Sequence, residues 1–234
     1  MTDGAILDDL AAALEPLGMI LRGGFLPAAS EAALPGVEAG RPGRTVLLVG
    51  NAGPVMYDRF FSADESSRPM ADALDTWTRR MIEPIAARFG ALPVFPFGGP
   101  PWHPFQRWAK RAEGLQASPL GILIHPEFGL WHAYRAALVF DHEIALPSVP
   151  TAVHPCIGCV DKPCLFTCPA TAITAGGYDV HRCASHVAGA GGADCRLDGC
   201  LARRACPVGR EYVYPARAME FHMAAFLKGH APGD

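Results

Sequence analysis

Apolar positions in the first part of the chain predict both helices and strands. Leucines recur at steps of three and four residues near the start: Leu7, Leu10, Leu14 and Leu17. That spacing places them on one face of an opening helix, which we expect to end near Gly18. The continuous apolar run at 45–49, followed by Gly50, predicts a buried strand.

A second helical stripe follows, and three further apolar runs predict strands. The stripe consists of Met70, Leu74, Trp77, Met81 and Ile85. Gly90 is expected to end this helix. The predicted strands are 91–97, 121–125 and 133–146, and residues 215–228 predict a last helix.

A cluster of prolines predicts a domain boundary near residue 150. Pro147, Pro150 and Pro155 lie within nine residues, and such punctuation is typical of a linker. We therefore predict one domain at 1–150 and a second at 151–234, which includes the last helix.

Composition and charge exclude some classes of function. The chain has 234 residues, of which 50% are hydrophobic and 18% charged, with a formal net charge of -3. This composition predicts a globular protein, and without a basic face nucleic acid is not expected as the main partner. The apolar runs are too short to span a membrane. The N-terminus carries Asp3, Asp8 and Asp9 and lacks the basic region with which a secretion signal begins. We expect a soluble, cytoplasmic protein.

All eight cysteines lie between residues 156 and 206. The first run is Cys156-x2-Cys159-x4-Cys164-x3-Cys168-Pro169, and the second comprises Cys183, Cys195, Cys200 and Cys206-Pro207. Bacterial ferredoxins use C-x2-C-x2-C-x3-C-P, in which the fourth cysteine ligates the other cluster. Both runs end in Cys-Pro, although the middle gap of the first run is two residues longer. The spacing predicts two [4Fe–4S] clusters and therefore electron transfer.

The same logic divides the ligands between the clusters. One cluster is expected to take Cys156, Cys159, Cys164 and Cys206. The other is expected to take Cys168, Cys183, Cys195 and Cys200. Nearby apolar side chains are expected to shield the clusters: Ile157, Val160, Leu165, Phe166, Ile173 and Val180. Structural zinc is the main alternative, since zinc sites also use C-x2-C knuckles, and a disulfide scaffold is a weaker one.

The segment from His181 to Ser185, His-Arg-Cys-Ala-Ser, resembles the R-C-[IA]-S segment of the epoxyqueuosine reductases. Those enzymes use two clusters to deliver electrons to a cobalamin, and reductive dehalogenases do something similar. This resemblance raises the question of whether the first domain binds a corrinoid.

Two segments of the first domain resemble the CblC (MMACHC) cobalamin-processing family. Residues 125–131, His-Pro-Glu-Phe-Gly-Leu-Trp, followed by Arg135, resemble that family's H-P-x-F-G-G-W-F-A-I-R segment. The apolar run at 46–49 and the sequence Gly-Pro-Val-Met-Tyr-Asp-Arg at 53–59 resemble its apolar strand and T-P-A-M-F-D-R segment. The resemblance covers roughly residues 1–150 and stops where the cysteines begin.

The resemblance implies a fold, a ligand and a chemistry. The implied fold class is α+β: a nitroreductase-like corrinoid-binding domain, followed here by a C-terminal bacterial-ferredoxin-like domain. The family binds cobalamin with its lower base displaced and removes the upper ligand by reductive decyanation or by glutathione-dependent dealkylation. The corrinoid pocket would include His125, Phe128, Gly129, Trp131 and Arg135. Glu127 and Leu130 depart from the motif, and the region that binds the thiol cosubstrate has no counterpart, so cluster-delivered electrons would replace glutathione.

These residues also have simpler interpretations. Gly129 permits close approach of a flat ligand, and Phe128 and Trp131 offer apolar area. His125 could hydrogen-bond a propionamide or a displaced base, or ligate cobalt. Equally, His125 could be a hydrogen-bonded scaffold residue, Trp131 a core residue and Arg135 a salt-bridge residue. The catalytic residues stay unassigned.

The leading hypothesis is a corrinoid-binding iron–sulfur oxidoreductase that receives electrons from an unidentified donor protein. It would reduce cobalamin or remove its upper axial ligand. One alternative is an electron carrier without cobalt chemistry, and another is a cobalamin chaperone. Reduction of a tRNA base is weaker, because the chain lacks a basic surface. Flavin is a further candidate cofactor, because nitroreductase-like folds often hold it, although no feature of the sequence requires it.

Overall fold

The computed structural model describes most of the chain and divides it into two compact units. The described residues are 3–28, 34, 36–37, 41–67, 72–149, 153–174 and 176–230. Unit 1 comprises Met1–Gly114 and Ala133–Thr151, and unit 2 comprises Leu115–His132 and Ala152–Asp234. Met70 and Pro150, which were used in the predictions above, lie outside the described residues.

The helices and strands alternate irregularly along the chain. The α-helices are α1 (Asp3–Leu14), α2 (Val55–Phe61), α3 (Asp64–Ser67), α4 (Ala73–Arg88), α5 (Phe105–Glu113), α6 (Val180–Ala188), α7 (Ala193–Asp198), α8 (Leu201–Arg204) and α9 (Ala216–Gly229). The strands are β1 (Ile20–Phe25), β2 (Thr45–Ala52), β3 (Leu92–Val94), β4 (Gln116–Ala117), β5 (Leu123–Ile124), β6 (His132–Phe140), β7 (Ile173–Thr174) and β8 (Gly177–Tyr178). The expectation of an α+β chain is confirmed.

Unit 1 is built on a four-stranded sheet in the order β1-β2-β6-β3. The two central strands carry the apolar runs: seven of the eight residues of β2 and the last five residues of β6 are buried. Helix α5 packs against β1 and β2, and Leu10 and Leu14 of α1 are fully buried. A strand that is apolar along its whole length needs cover on both faces, which explains its central place in the sheet.

Most of the predicted elements of unit 1 are confirmed, with shorter strands. Helix α1 ends at Leu14 and continues as a 3-10 turn to Gly18, which has a left-handed φ of 65°. The predicted strand at 91–97 is confined to β3, and that at 133–146 ends at Phe140. Strand β1 and helices α2 and α5 were not predicted, because each is short and charged residues interrupt its apolar positions.

Unit 1 also contains a buried ion pair that the sequence did not reveal. Arg22, with 1% of its side chain exposed, donates to both carboxylate oxygens of Glu113 at 2.8 and 2.9 Å. Tyr134 donates to the same carboxylate, and burial raises the pKa of its phenol. Because the carboxylate and the guanidinium satisfy each other, this group is best explained as part of the scaffold.

Unit 2 holds all eight cysteines together with an antiparallel hairpin, β4–β5, from residues 115–131. The division of the chain at 150 would place this hairpin in the first domain, whereas the compact units group it with the cysteines. The cause is a shared apolar core that includes Leu120, Ile124, Leu130, Cys164, Ile173, Ala202 and Cys206. Helix α9 confirms the predicted last helix at 215–228, and it packs on α6 and α7.

None of the helices that the structure describes has the length and apolarity needed to cross a bilayer.

Candidate functional site

The eight cysteines lie around two cavities of unit 2, four at each. The first cavity is lined by Cys156, Cys159, Cys164 and Cys206. The second cavity is lined by Cys168, Cys183, Cys195 and Cys200. The two cavities enclose about 380 and 370 Å³ of space, part of it open to solvent. These are the two sets into which the sequence analysis divided the cysteines.

The two Cys-Pro cysteines exchange places between the cavities. Cys168 follows three cysteines of the first cavity along the chain but lines the second cavity. Cys206 follows three cysteines of the second cavity but lines the first. In two-cluster ferredoxins the fourth cysteine of a run likewise ligates the other cluster.

A lysine and a histidine organise the loop of the first cavity. Lys162 has a left-handed φ of 39° and directs its ammonium back to the carbonyl oxygens of Cys156 and Cys159, at 2.8 and 3.2 Å. The ring Nδ1 of His154 accepts a hydrogen bond from the amide of Cys156 at 3.0 Å. These contacts hold the backbone of the loop that carries the first two thiols.

Short helices position the cysteines of the second cavity. Cys183 lies on α6, Cys195 on α7, and Cys200 immediately precedes α8. The carboxylate of Asp179 caps α6 by accepting from the amide of Arg182 at 2.9 Å. Burial raises the pKa of the Cys183 thiol, and a hydrogen bond from the hydroxyl of Tyr178 offsets part of that rise.

Backbone amides point at several of the sulfur atoms. Hydrogen bonds from the amides of Leu165, Leu201, Ala202, Arg203 and Val208 act to lower the pKa of the thiols of Cys164, Cys195, Cys200 and Cys206. Such donors stabilise negative charge on sulfur, and the amides around Cys195 and Cys200 belong to the start of α8. Both cavities therefore have donors for anionic sulfur.

Burial raises the pKa of the thiols of Cys156, Cys164, Cys183, Cys195, Cys200 and Cys206. Nearby cysteines raise these pKa values further, and every such pair belongs to one cavity. Four ionised thiols in so small a space would repel one another. Each cavity is therefore suited to a cationic partner that holds the thiols as thiolates.

Four thiols line each cavity. Among the described residues, no three or more His, Cys, Asp or Glu side chains are placed to hold a single metal ion. A zinc ion requires four ligand atoms at about 2.0–2.3 Å from one centre. A [4Fe–4S] cluster instead takes four thiolates around a larger body. The four thiols, the apolar walls and the amide donors of each cavity fit such a cluster.

The shielding residues differ in part from the expected set. Ile173 is buried, but Ile157, Val160 and Phe166 are 76%, 91% and 82% exposed, so their expected role as shields is corrected. They lie in turns between the cysteines, and their side chains face solvent. The apolar wall of the first cavity comes instead from the hairpin, through Leu120, Ile124 and Leu130.

The segment from His125 to Trp131 directly follows strand β5 of that hairpin. The backbones of His125 and Gly129 exchange hydrogen bonds of 2.8 and 3.0 Å. The ring Nδ1 of His125 accepts from the amides of Glu127 and Phe128, both at 3.1 Å, and the ring stacks on that of Phe128 at 4.1 Å. With Nδ1 as an acceptor, a neutral imidazole carries its proton on Nε2.

Gly129 permits a close approach, as expected, but the group that approaches it is the protein backbone at Val208. It has a left-handed φ of 58°, and a Cβ there would stand 2.0 Å from the carbonyl oxygen of Val208. Gly209 is equally constrained, because its Cβ would stand 2.3 Å from the carbonyl carbon of Phe128. The loop of His125 thus lies directly on the segment that follows Cys206.

Trp131 and Arg135 are engaged by other parts of the protein. Trp131 is 1% exposed and lies beneath the guanidinium of Arg203, at 4.4 Å, and beside the ring of Tyr214, at 5.4 Å. Arg135 belongs to unit 1, where it pairs with Asp75 of α4 at 2.6 Å. The simpler interpretations of these two side chains, as a core and a salt-bridge residue, describe the contacts seen.

Comparison with solved structures finds this fold in a known protein. The crystal structure of a C. elegans B12-trafficking protein CblC, a human MMACHC homologue, matches with a TM-score of 0.55. This chain has a CblC-like fold. The two sequences are 14% identical, and the alignment covers 99% of this chain and 97% of the CblC chain. No protein-family model matches the sequence, and no curated protein matches it either.

The CblC-like fold extends beyond the two motifs that first suggested it. The resemblance was expected to end near residue 150, but an alignment over 99% of the chain includes the cysteine-bearing residues. A resemblance between motifs depends on side chains that are retained. A fold can be retained over segments whose side chains have all changed.

Several residues around the cavities were missed by the sequence analysis. The hairpin residues Leu120 and Ile124 carried no cysteine-related pattern. Tyr178 and His186, which both line the second cavity, were not singled out either. His186 follows Cys183 by three residues, a spacing that places both on one face of α6, but the helix itself was not predicted.

Proposed function

We propose that this protein is an iron–sulfur oxidoreductase that binds a corrinoid and reduces it or removes its upper axial ligand. Two [4Fe–4S] clusters, held by the eight cysteines in a C-terminal ferredoxin-like region, would supply the electrons. An unidentified donor protein would reduce the clusters. The matched CblC structure is that of a B12-trafficking protein, and this supports the choice of substrate class.

One observation carries the proposal. The loop from His125 to Trp131 lies in the same compact unit as the cysteines. Ile124, which precedes the loop, and Leu130, which belongs to it, line the first cavity. Val208, two residues after Cys206, touches Gly129 of the loop. A corrinoid bound at this loop would therefore be next to a source of electrons.

The chain's own residues would bind the substrate and control its surroundings. When bound, the clusters supply single electrons at low potential. His125 would hydrogen-bond an amide side chain of the corrin ring, and Phe128 would offer apolar contact. Gly129, Trp131 and Arg135 were also assigned to the pocket. We propose that Gly129 and Trp131 serve it by fixing the loop, since their contacts are with Val208 and Arg203.

A cluster-bearing electron carrier is the second candidate. The burial of Trp131 and the ion pair between Arg135 and Asp75 favour it, because they leave fewer side chains available to a corrinoid.

Anaerobic binding experiments separate the two candidates. The purified protein would be analysed for iron and sulfide, and hydroxocobalamin would be titrated while its visible spectrum is recorded. The proposal predicts about eight irons per chain and a saturable shift to the base-off spectrum. His125→Ala should weaken binding, whereas His142→Ala, at an exposed position of unit 1, should not. Eight irons without any change in the cobalamin spectrum would leave the electron carrier.

A further inference from the structure

One buried polar atom of the second cavity has no partner in the described part of the chain. It is Nε2 of His186, which is shielded from solvent and makes no hydrogen bond there. His186 lines the cavity together with all four of its cysteines. A buried N–H without an acceptor costs free energy, so an unpaired one in a native protein calls for an explanation.

The position of His186 on α6 explains why the ring reaches the cavity. Residues three apart on a helix lie on the same face, and His186 follows the ligand Cys183 by three. Val187, the next residue, is also buried and lines the same cavity. The helix face that supplies one thiol therefore supplies the imidazole as well.

The chain after α6 keeps this part of the helix in place. A Cβ on Gly192 would stand 2.3 Å from the carbonyl oxygen of His186 and 2.6 Å from that of Val187. Only a residue without a side chain permits this approach, and the turn at Ala190–Gly192 thus lies against the last turn of α6. The backbone of His186 is therefore held in place by the fold.

We infer that His186 is a positioning residue of the second cluster. Its Nε2–H donates a hydrogen bond to a sulfur atom in the second cavity, either a sulfide of the cluster or one of the four thiolates. This inference rests on the clusters of the proposed function, but it does not depend on the corrinoid.

The hydrogen bond has a predictable electrostatic effect. Reduction adds one negative charge to the cluster, so a donor to sulfur stabilises the reduced state more than the oxidised state. The bond therefore raises the reduction potential of the second cluster. The described lining of the first cavity contains no histidine. His186 would therefore make the reduction potential of the second cluster differ from that of the first.

The test is a potentiometric titration of the full-length, anaerobically reconstituted protein, followed by EPR. In His186→Phe, we expect one of the two midpoint potentials to fall and the other to stay unchanged. His186→Gln should restore part of the potential, since its amide can donate. His181→Phe, at an exposed position of the same helix, should change neither potential and serves as the matched control.

A second readout uses the wild-type protein, with His186→Gln as its control. Wild-type protein labelled with ¹⁵N-histidine should show a nitrogen coupling to one reduced cluster in pulsed EPR, and His186→Gln should lose it. Unchanged potentials in a His186→Phe protein that retains its iron, or no nitrogen coupling in the wild type, would overturn the inference. If the wild type bound no iron, both this inference and the clusters of the proposed function would fail.

Discussion

At the residue scale, Gly129 and Lys162 show how single positions shape the site. Gly129 brings the His125 loop onto the backbone at Val208, and Lys162 ties the loop of the first cavity together. Neither role involves the substrate directly. Both can be tested by substitutions that have close controls within the same chain.

Gly129→Ala should destabilise unit 2 well beyond the effect of backbone strain. Gly121 also has a left-handed φ, 79°, but a Cβ there would meet nothing within 4 Å. Gly121→Ala should therefore cost only about 1 kcal/mol, from the strained conformation. Gly129→Ala should cost about 1–3 kcal/mol more because of the clash with Val208. Urea unfolding measures the difference, and equal losses in the two variants would argue against the close approach.

Lys162→Met should weaken the first cluster selectively. The ammonium of Lys162 fixes the carbonyl oxygens of Cys156 and Cys159, so its loss should let this loop move. We expect the purified variant to lose up to about four of its eight irons, while Lys228→Met, an exposed position on α9, loses none. Iron analysis and EPR of the remaining cluster provide the measurement. Full iron content in Lys162→Met would show that the loop does not need the lysine.

At the scale of elements, two features define unit 2. The Cys-Pro cysteines cross between the cavities, and the hairpin β4–β5 supplies the apolar wall that the cysteine loops lack. The exchange of cysteines followed from their spacing, because a ferredoxin run sends its fourth cysteine to the other cluster. The wall did not follow from the sequence, since Leu120 and Ile124 meet the cysteines only through the tertiary fold.

The crossing of Cys168 predicts which cluster each substitution damages. The EPR spectrum of Cys168→Ser should resemble that of Cys183→Ser, since both cysteines line the second cavity. It should differ from the spectrum of Cys159→Ser, although Cys159 is closer to Cys168 in sequence than Cys183 is. If Cys168→Ser instead reproduced the spectrum of Cys159→Ser, the division of ligands would be wrong.

The predicted elements succeeded where a long apolar pattern existed. Helices α1, α4 and α9 and strands β2 and β6 follow from periodicity or continuous burial. The short helices α6 to α8 escaped prediction because each is less than three turns long, which is too short for a clear apolar periodicity. The partners of Trp131 and Arg135 also escaped prediction, because the motif gives the identity of these two residues but not their neighbours, Arg203 and Asp75.

At the scale of the whole molecule, a CblC-like fold and a two-cavity cysteine unit occur in one chain. The fold aligns over almost its entire length with a B12-trafficking protein, while the cysteines are grouped as two four-thiol sites. The proposed function joins these two features, with a corrinoid as the substrate and clusters of the same chain as the source of electrons. This is the central claim of the account.

A single-turnover reduction tests that claim most directly. The protein would be reduced, freed of excess dithionite, and mixed anaerobically with one equivalent of hydroxocobalamin. The account predicts that cluster absorbance returns at the same rate as cob(II)alamin appears, one electron per cobalt, with the hydroxo ligand leaving as water after taking up a proton. Cys159→Ser should slow both changes together. Clusters that stay reduced beside unreacted cobalamin would contradict the account and leave an electron carrier with a CblC-like fold.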